Sequence, residues 1–154
     1  MADFCFDDSS VVIFDLDGTL ADTKWRRHYL ESDKRDWHAF FEAMGDDKVN
    51  EPVATLYRTI WDSHKFQMYI VSGRPAVYQK VTELWLTFNN IQFHRLYMRS
   101  EGEQRPDDQI KEEMLREIRS EGKTILFTVD DRKSIVAMWR RNDITCLQVA
   151  DGDF

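Results

Sequence analysis

The chain has 154 residues, a formal net charge of −7 and a hydrophobic fraction of 42%. This length predicts a single domain, residues 1–154, with enough apolar residues for a sizeable core. The acidic balance argues against an extended nucleic-acid footprint, because each phosphate contact requires a nearby lysine or arginine. A site that binds one phosphate or one strand end remains compatible with this charge.

The cysteines and the N-terminus indicate the compartment. Cys5 and Cys146 are far apart and form no Cys-x-x-Cys motif, which predicts neither a zinc site nor a disulfide framework. Residues 1–8 lack the basic and apolar regions of a signal peptide, and no apolar run approaches membrane-spanning length. We therefore expect a soluble cytoplasmic protein that does not contact membranes.

Apolar strands and amphipathic helices alternate along the chain, which predicts an α/β fold with a mostly parallel sheet covered on both faces. The predicted strands are Val11–Leu16, Phe66–Ser72, Arg95–Arg99, Thr124–Val129 and Thr145–Ala150. Apolar residues at helical spacing, which we expect to lie in the core, include Trp37, Phe40, Phe41, Met44; Val53, Leu56, Tyr57, Ile60, Trp61; Val77, Val81, Leu84, Phe88; Ile110, Met114, Leu115, Ile118; and Ile135, Val136, Trp139.

Residues 22–50 follow the first strand and are rich in charge. We expect them to form a small cap insertion, since two amphipathic helices occupy most of the sequence before the second strand. A small or minimal cap predicts an open site. Such a site favours a large substrate or the exposed end of a polymer.

The most informative stretch is Asp15-Leu16-Asp17-Gly18-Thr19, which directly follows the first strand. It places two carboxylates at the tip of a buried strand, where open α/β sheets bind their ligands. Gly18 can adopt a positive φ and turn the chain away from the sheet. A simple Asp-Gly turn requires neither the earlier aspartate nor the threonine that follows.

Three further polar groups occur where later strands end or helices begin. They are Ser72-Gly73-Arg74-Pro75, Arg105-Pro106-Asp107-Asp108-Gln109-Ile110-Lys111, and Val129-Asp130-Asp131-Arg132. Each group alone is a weak signal, but their order along the chain is a strong one. Ser72 and Lys111 are predicted to hold transferring phosphoryl oxygens, and Lys111 also offsets the charge of nearby carboxylates.

These residue types suit cleavage of a phosphomonoester, a dianion that a carboxylate attacks only when cations neutralise both partners. Mg²⁺ held by Asp15, the backbone carbonyl of Asp17 and Asp130 or Asp131 would supply this charge. Asp15 is the predicted nucleophile, which forms an aspartyl phosphate. Asp17 is the predicted acid that protonates the leaving alcohol and then the base that activates water.

The Asp15-to-Thr19 motif and the three later groups resemble those of the haloacid dehalogenase-like phosphatases, which implies a Rossmann-like three-layer sandwich. The C-terminal half further resembles the phosphatase half of the bacteriophage polynucleotide kinase/3′-phosphatases. That resemblance is densest in 107–113, 130–132, 138–141, 146–150 and 152–154, and it is thin between residues 23 and 65. It implies a Mg²⁺-dependent 3′-phosphatase acting on RNA or DNA ends or nucleotides, and a host-cell cytoplasmic location if the chain is phage-encoded.

The same resemblance implies catalytic or substrate-binding roles for Arg26, Arg74 and Asp107 beside the residues above. Arg26 is matched only by its spacing from the first motif, and Arg27 is the alternative. No Gly-x-x-x-x-Gly-Lys-Ser/Thr loop occurs in the chain, so we expect no 5′-kinase activity from it.

The alternative function is a small-nucleotide phosphatase resembling the 5′(3′)-deoxyribonucleotidases, which also carry Asp-x-Asp-Gly-Thr-Leu and a late Asp-Asp. Rates on 3′-phosphorylated oligomers and on mononucleotides would separate the two. A non-catalytic module would have lost some of Asp15, Asp17, Lys111, Asp130 or Asp131, and all are present. The residues leave the oligomeric state and the choice between RNA and DNA open.

Overall fold

Five parallel strands form the central sheet of the computed structural model, which describes residues 8–153. The strands are β1 (Ser10–Phe14), β4 (Gln67–Pro75), β5 (Arg95–Arg99), β6 (Thr124–Arg132) and β7 (Cys146–Gly152). Their order is β5-β4-β1-β6-β7, with β1 in the centre. All five predicted strands and the parallel sheet are thus confirmed, and β4 and β6 run three residues further than predicted.

Side chains of β1 alternate between the two faces of the sheet, as the two-residue period of a strand requires. Val11 and Ile13 pack in one apolar cluster with helices α4 (Asp107–Ser120) and α5 (Lys133–Arg141). Val12 and Phe14 pack in a second cluster with helices α2 (Glu51–Asp62) and α3 (Gln79–Phe88). The resulting order of layers is helix, sheet, helix, which confirms the predicted sandwich.

The inward face of α3 differs from the predicted one. Leu84 and Phe88 were expected in the core but are 61% and 85% exposed, and Val77, in the 3₁₀ turn before α3, is 70% exposed. The residues that α3 buries instead are Thr82, Trp85 and Leu86. Polar contacts account for this orientation, because Trp85 Nε1 donates to the Asp47 carbonyl at 2.8 Å and Thr82 Oγ1 accepts from Arg74 at 3.1 Å.

The two ends of the segment 22–50 are joined by a short pair of antiparallel strands, in which Ala21 is opposite Val49. The pair consists of β2 (Ala21–Asp22) and β3 (Lys48–Val49), and between them lie a 3₁₀ helix (Lys24–Leu30), α1 (Trp37–Glu42) and a 3₁₀ turn (Ala43–Asp46). The helix predicted through Met44 therefore ends at Glu42. Trp37 was expected in the core, but it is 40% exposed.

Some expectations concern residues that the structure does not describe. Cys5, the signal-peptide prediction for the first seven residues, and Phe154 of the C-terminal resemblance lie outside the described range. Within residues 8–153, no helix is both long and apolar enough to cross a membrane.

Candidate active site

Three carboxylates meet at the carboxyl edge of the sheet, where β1 and β6 lie side by side. Ligand oxygens of Asp15, Asp130 and Asp131 lie within 4.8 Å of one another, and all three residues are buried. Lys111 of α4 places its Nζ 2.7 Å from Asp15 Oδ1 and 3.3 Å from Asp130 Oδ2. The structure thus brings together four residues that the sequence singles out.

This carboxylate cluster, defined as Asp15, Asp130 and Asp131, carries more negative charge than Lys111 alone neutralises. Burial and the charge of Asp130 hold the pKa of Asp15 well above its ordinary value, although Lys111 opposes the shift. Burial and Asp130 also raise the pKa of Asp131. Burial lowers the pKa of Lys111, but the charges of Asp130 and Asp15 outweigh it and raise that pKa. A divalent cation would relieve this crowding of carboxylates.

The atoms of the cluster fit Mg²⁺, because carboxylate oxygens are the ligands that this hard cation prefers. Asp131 Oδ2 is buried and has no hydrogen-bond partner among residues 8–153, and Arg27 Nη2 is 3.9 Å from it. A buried polar atom without a partner is costly, so an ion at this point would satisfy it. Asp15, Asp130 and Asp131 could therefore hold a metal. The side chain of Asp17 points elsewhere, which leaves its backbone carbonyl as the predicted ligand.

The turn that follows β1 passes very close to Asp131. Gly18 has φ +84°, and a Cβ at this position would lie 2.1 Å from Asp131 Oδ2. Both the backbone conformation and the contact therefore require glycine. Thr19 Oγ1 lies 3.0 Å from Asp15 Oδ2 and 3.3 Å from Asp131 Oδ1, so the same turn supports two carboxylates of the cluster.

The side chain of Asp17 enters a separate cluster with two arginines. Its Oδ1 is 2.7 Å from Arg26 Nη2 and 2.6 Å from Arg74 Nη2. Asp47 binds the same arginines, at 2.6 Å from Arg26 Nη2 and 3.5 Å from Arg74 Nη2. Burial raises the pKa of Asp17, but the charges of Arg74 and Arg26 outweigh it and lower that pKa to about 2. We call Asp17, Arg26, Asp47 and Arg74 the arginine network.

A cavity of about 550 Å³ reaches both clusters. Among the predicted site residues, its lining includes Asp15, Asp17, Asp107, Lys111, Asp130 and Asp131. The rest of its wall includes three aromatic residues of α1, namely Trp37, Phe40 and Phe41, and three arginines, namely Arg99, Arg105 and Arg132. The cavity is larger than a phosphate group requires, and its lining is both charged and aromatic.

Arg26 and Arg74 do not lie in the wall of this cavity. Both are wholly buried, and both bind Asp17, which does line the cavity. The sequence resemblance implies substrate-binding or catalytic roles for them, and the structure adds ion pairs with Asp17 and Asp47 that make them part of the folded framework. Arg27, the alternative to Arg26, approaches Asp131 instead.

Ser72 and Asp107 lie where the end of β4 passes close to the start of α4. The Ser72 hydroxyl accepts a hydrogen bond from the Arg74 N–H at 3.1 Å, and the side chain is buried. A Cβ on Gly73 would lie 2.2 Å from Asp107 Oδ1, so glycine lets the end of β4 pass beside the start of α4. Asp107 lines the cavity, while Ser72 does not.

Three residues of the site were missed by sequence reasoning. Asp47 gives no signal, because it lies in the polar run before β3 and resembles an ordinary turn residue. Trp139 donates from Nε1 to Asp130 Oδ2 at 3.2 Å, and its signal was the Met-Trp-Arg-Arg run. Arg99 binds Asp107 Oδ1 at 2.5 Å, and its position at the end of a predicted strand could have revealed it.

The family comparison agrees with this geometry. The sequence model of the polynucleotide kinase PNKP phosphatase domain matches residues 9–154. The chain belongs to this family of haloacid dehalogenase-like phosphatases. Membership makes the chain a hydrolase of the phosphoric monoester class, and it confirms the resemblance seen in the sequence.

Solved structures support the same relationship. In two structures of the Pnkp1/Rnl/Hen1 complex, described in one case as an RNA repair complex, a chain is similar to this one, with 31% and 32% identity and TM-scores of 0.79 and 0.78. The match covers 95% of this chain but only 44% and 47% of those chains. A hydrolase from Streptococcus pneumoniae shares 16% identity over 93% of this chain and 94% of its own length, with a TM-score of 0.61. That last match supports the fold alone.

Proposed function

We propose that this chain is a Mg²⁺-dependent phosphatase that removes 3′-phosphates from polynucleotide ends or nucleotides through an aspartyl-phosphate intermediate. The observation that carries the proposal is the buried Asp15, Lys111, Asp130 and Asp131 constellation on the wall of the cavity. The polynucleotide substrate is supported by the family description and by the RNA repair complexes that contain similar chains. The 3′ preference is supported by the sequence resemblance to the polynucleotide kinase/3′-phosphatases.

Asp15 is the proposed nucleophile. One of its carboxylate oxygens attacks the phosphorus, a new O–P bond forms, and the bond from phosphorus to the ester oxygen breaks. Lys111 Nζ, 2.7 Å from Asp15 Oδ1, orients the attacking carboxylate and offsets the charge that accumulates beside it. Water then attacks the phosphorus, the Asp15 O–P bond breaks, and the free carboxylate returns.

Asp15, Asp130 and Asp131 are the side chains that would hold Mg²⁺, with the Asp17 carbonyl as a further ligand. When bound, the ion would neutralise charge on the phosphoryl oxygens and on the carboxylates. The protein orients its ligands independently of the ion, because Trp139 Nε1 and the Asp131 N–H both donate to Asp130, at 3.2 and 2.9 Å.

Asp17 is the proposed acid and base, and the arginine network controls when it can act. A carboxyl with a pKa of about 2 carries no proton at neutral pH. To protonate the leaving alkoxide and then accept a proton from water, Asp17 has to break its ion pair with at least one of the two arginines. The phosphate dianion competes for these guanidiniums, which gives Arg26 and Arg74 a role toward substrate once Asp17 has moved.

Residues 22–50 form the proposed small cap of a single domain. Both ends of the segment are joined by the β2–β3 pair, and α1 contributes three aromatic residues to the cavity wall. Arg26 and Asp47 of the same segment bind the side chain of Asp17 or its partners. The segment therefore completes the site as well as covering part of it.

The direct test is phosphate release from matched oligonucleotides that carry the phosphate at the 2′, 3′ or 5′ end, and from the corresponding mononucleotides. We expect the highest kcat/KM on 3′-phosphorylated oligomers in the presence of Mg²⁺. Asp15→Asn should lose the activity, while Asp46→Asn, which changes an exposed aspartate, should retain it. A preference for mononucleotides would favour the small-nucleotide alternative, and faster release from 5′ ends would contradict the proposal.

A further inference from the structure

Three neighbouring aromatic rings lie at the cavity that contains the proposed phosphate site, and two of them line it. Trp37 and Phe41 stack with ring centroids 5.9 Å apart and an interplanar angle of 26°. Tyr78 continues the group, at 5.6 Å from Phe41 and an angle of 31°. Trp37 and Phe41 line the cavity, and Trp37 is 40% exposed. We call Trp37, Phe41 and Tyr78 the aromatic wall.

Core packing explains only part of this arrangement. Phe40, between Trp37 and Phe41 in the sequence, is 4% exposed and packs edge-on against both rings, at 5.8 and 5.4 Å. It therefore provides the buried anchor of α1. Trp37, in contrast, keeps a large apolar surface open to the cavity, where a flat ligand could cover it.

The aromatic wall is connected to the proposed catalytic groups through Arg26. The guanidinium carbon of Arg26 lies 4.1 Å from the centroid of the Phe40 ring, and its Nη1 donates to the Phe40 carbonyl at 2.9 Å. Arg26 Nη2 in turn binds Asp17 at 2.7 Å. These contacts fix α1 relative to the carboxylate proposed to protonate the leaving group, so a ligand held by the wall has a defined position relative to the reaction.

The cavity accommodates more than a phosphate group. Its volume of about 550 Å³ is within the range of about 300–1,000 Å³ that is typical of pockets for organic ligands. Its lining contains Asp15 and Lys111 of the proposed phosphate site together with the aromatic side chains of Trp37 and Phe41. The matching ligand carries a phosphate and, at a distance from it, a flat ring, as a nucleotide does.

We propose that the aromatic wall is a stacking subsite for the base of the nucleoside that bears the phosphate to be removed. The inference rests on the proposed phosphatase function and adds a base-recognition site to it. Stacking uses the π-face that every base has, so the subsite should accept all four bases with little preference. Trp37 is the residue with the most exposed ring and should contribute most.

The test compares two substrates that differ only in the terminal base. One is a 3′-phosphorylated oligonucleotide, and the other is the same oligomer with an abasic terminal nucleoside. In the wild-type protein we expect kcat/KM to be about 5- to 100-fold higher when the base is present, the range that corresponds to one stacked base. In Trp37→Leu this ratio should fall to about one, and in Trp37→Phe it should be intermediate.

The matched control is Phe88→Leu, which removes an aromatic ring that is 85% exposed and outside the cavity lining. It should keep the wild-type ratio. The inference is overturned if the wild-type protein cleaves both substrates equally well. It is also overturned if Trp37→Leu keeps the wild-type ratio, including the case in which both rates fall together. The comparison of the two substrates in the wild-type protein still tests the proposal if Trp37→Leu fails to fold.

A binding measurement separates failure of this inference from failure of the proposed 3′-phosphatase function. Calorimetry with the Asp15→Asn protein compares adenosine 3′-monophosphate, adenosine 5′-monophosphate and ribose 5-phosphate. Tighter binding of either adenosine nucleotide than of ribose phosphate, lost in Asp15→Asn/Trp37→Leu, supports the base subsite even if the enzyme prefers 5′-phosphates. Equal binding of all three overturns the subsite while leaving the phosphatase proposal intact.

Discussion

Replacing Asp17 by asparagine should destabilise the protein, although removal of an active-site charge often has the opposite effect. Arg74 and Arg26 outweigh the effect of burial and lower the pKa of Asp17 from its ordinary 3.8 to about 2. Each pH unit between folded and unfolded pKa values corresponds to about 1.36 kcal/mol. The ionised carboxylate therefore contributes about 2 kcal/mol to the free energy of unfolding at neutral pH. Its side chain is only 21% exposed, so solvent screens this interaction weakly.

The assay is urea and thermal unfolding of both proteins from pH 2 to pH 8, in EDTA so that no metal contributes. At pH 7 we expect Asp17→Asn to lower the Tm by about 4–8 °C, from about 2–4 °C per kcal/mol for a domain of this size. Because the folded pKa is depressed, the stabilisation is present above the unfolded pKa and is lost as the pH falls from about 4 to about 2. The difference between the two proteins should disappear over that interval.

The matched control is Asp46→Asn, since Asp46 is exposed and lies next to Asp47 of the arginine network. It should change the stability by less than about 0.5 kcal/mol. A stabilising role of the ionised Asp17 carboxylate would be contradicted if Asp17→Asn were as stable as the wild type at pH 7, or if its effect persisted unchanged at pH 2. Either result would mean that the two guanidiniums do not hold this carboxylate ionised.

Three further predictions concern the carboxylates and the metal. Asp15→Asn should lower kcat by about 10⁴–10⁶-fold in phosphate-release assays, and residual activity within tenfold of wild type would exclude the nucleophile role. In EDTA at pH 7 the same substitution should raise the Tm, because burial and Asp130 disfavour the ionised Asp15 carboxylate. EDTA should abolish turnover and Mg²⁺ should restore it, whereas full activity after exhaustive chelation would contradict the oxygen-ligand site. Asp17→Asn should slow alkyl phosphates by about 10²–10⁴-fold but nitrophenyl phosphate far less, and equal losses on both would remove Asp17 from the acid role.

The parts of the fold that depend on local patterns were predictable. Continuous apolar runs predicted the strands, and polar residues at their carboxyl ends predicted which side chains meet, since parallel strands end at a common edge. Asp15, Asp130 and Asp131 come together for this reason, and Lys111 reaches them from α4. The strand ends were less predictable, because β4 and β6 continue through polar residues that form sheet pairs at Pro75 and Arg132.

The parts that depend on long-range polar contacts were not predictable. The orientation of α3 follows from Trp85 and Thr82, which bind Asp47 and Arg74, and the apolar pattern of the helix indicates a different face. The burial of Arg26 was also not predictable from the sequence, because the charged run around it is typical of a solvated surface. Its burial requires a carboxylate 21 residues away, Asp47, that no motif marks.

The arginine network makes the small insertion an integral part of the reaction site. Two buried arginines lie among two carboxylates, and formal charges cancel only while Asp17 and Asp47 are both ionised. Arg26 and Asp47 come from residues 22–50, whereas Asp17 and Arg74 follow β1 and end β4. The ionisation of the proposed acid is therefore set jointly by the sheet and the insertion. Because Arg26 also donates to the Phe40 carbonyl of α1, the same guanidinium that keeps Asp17 ionised holds α1 in place beside the cavity.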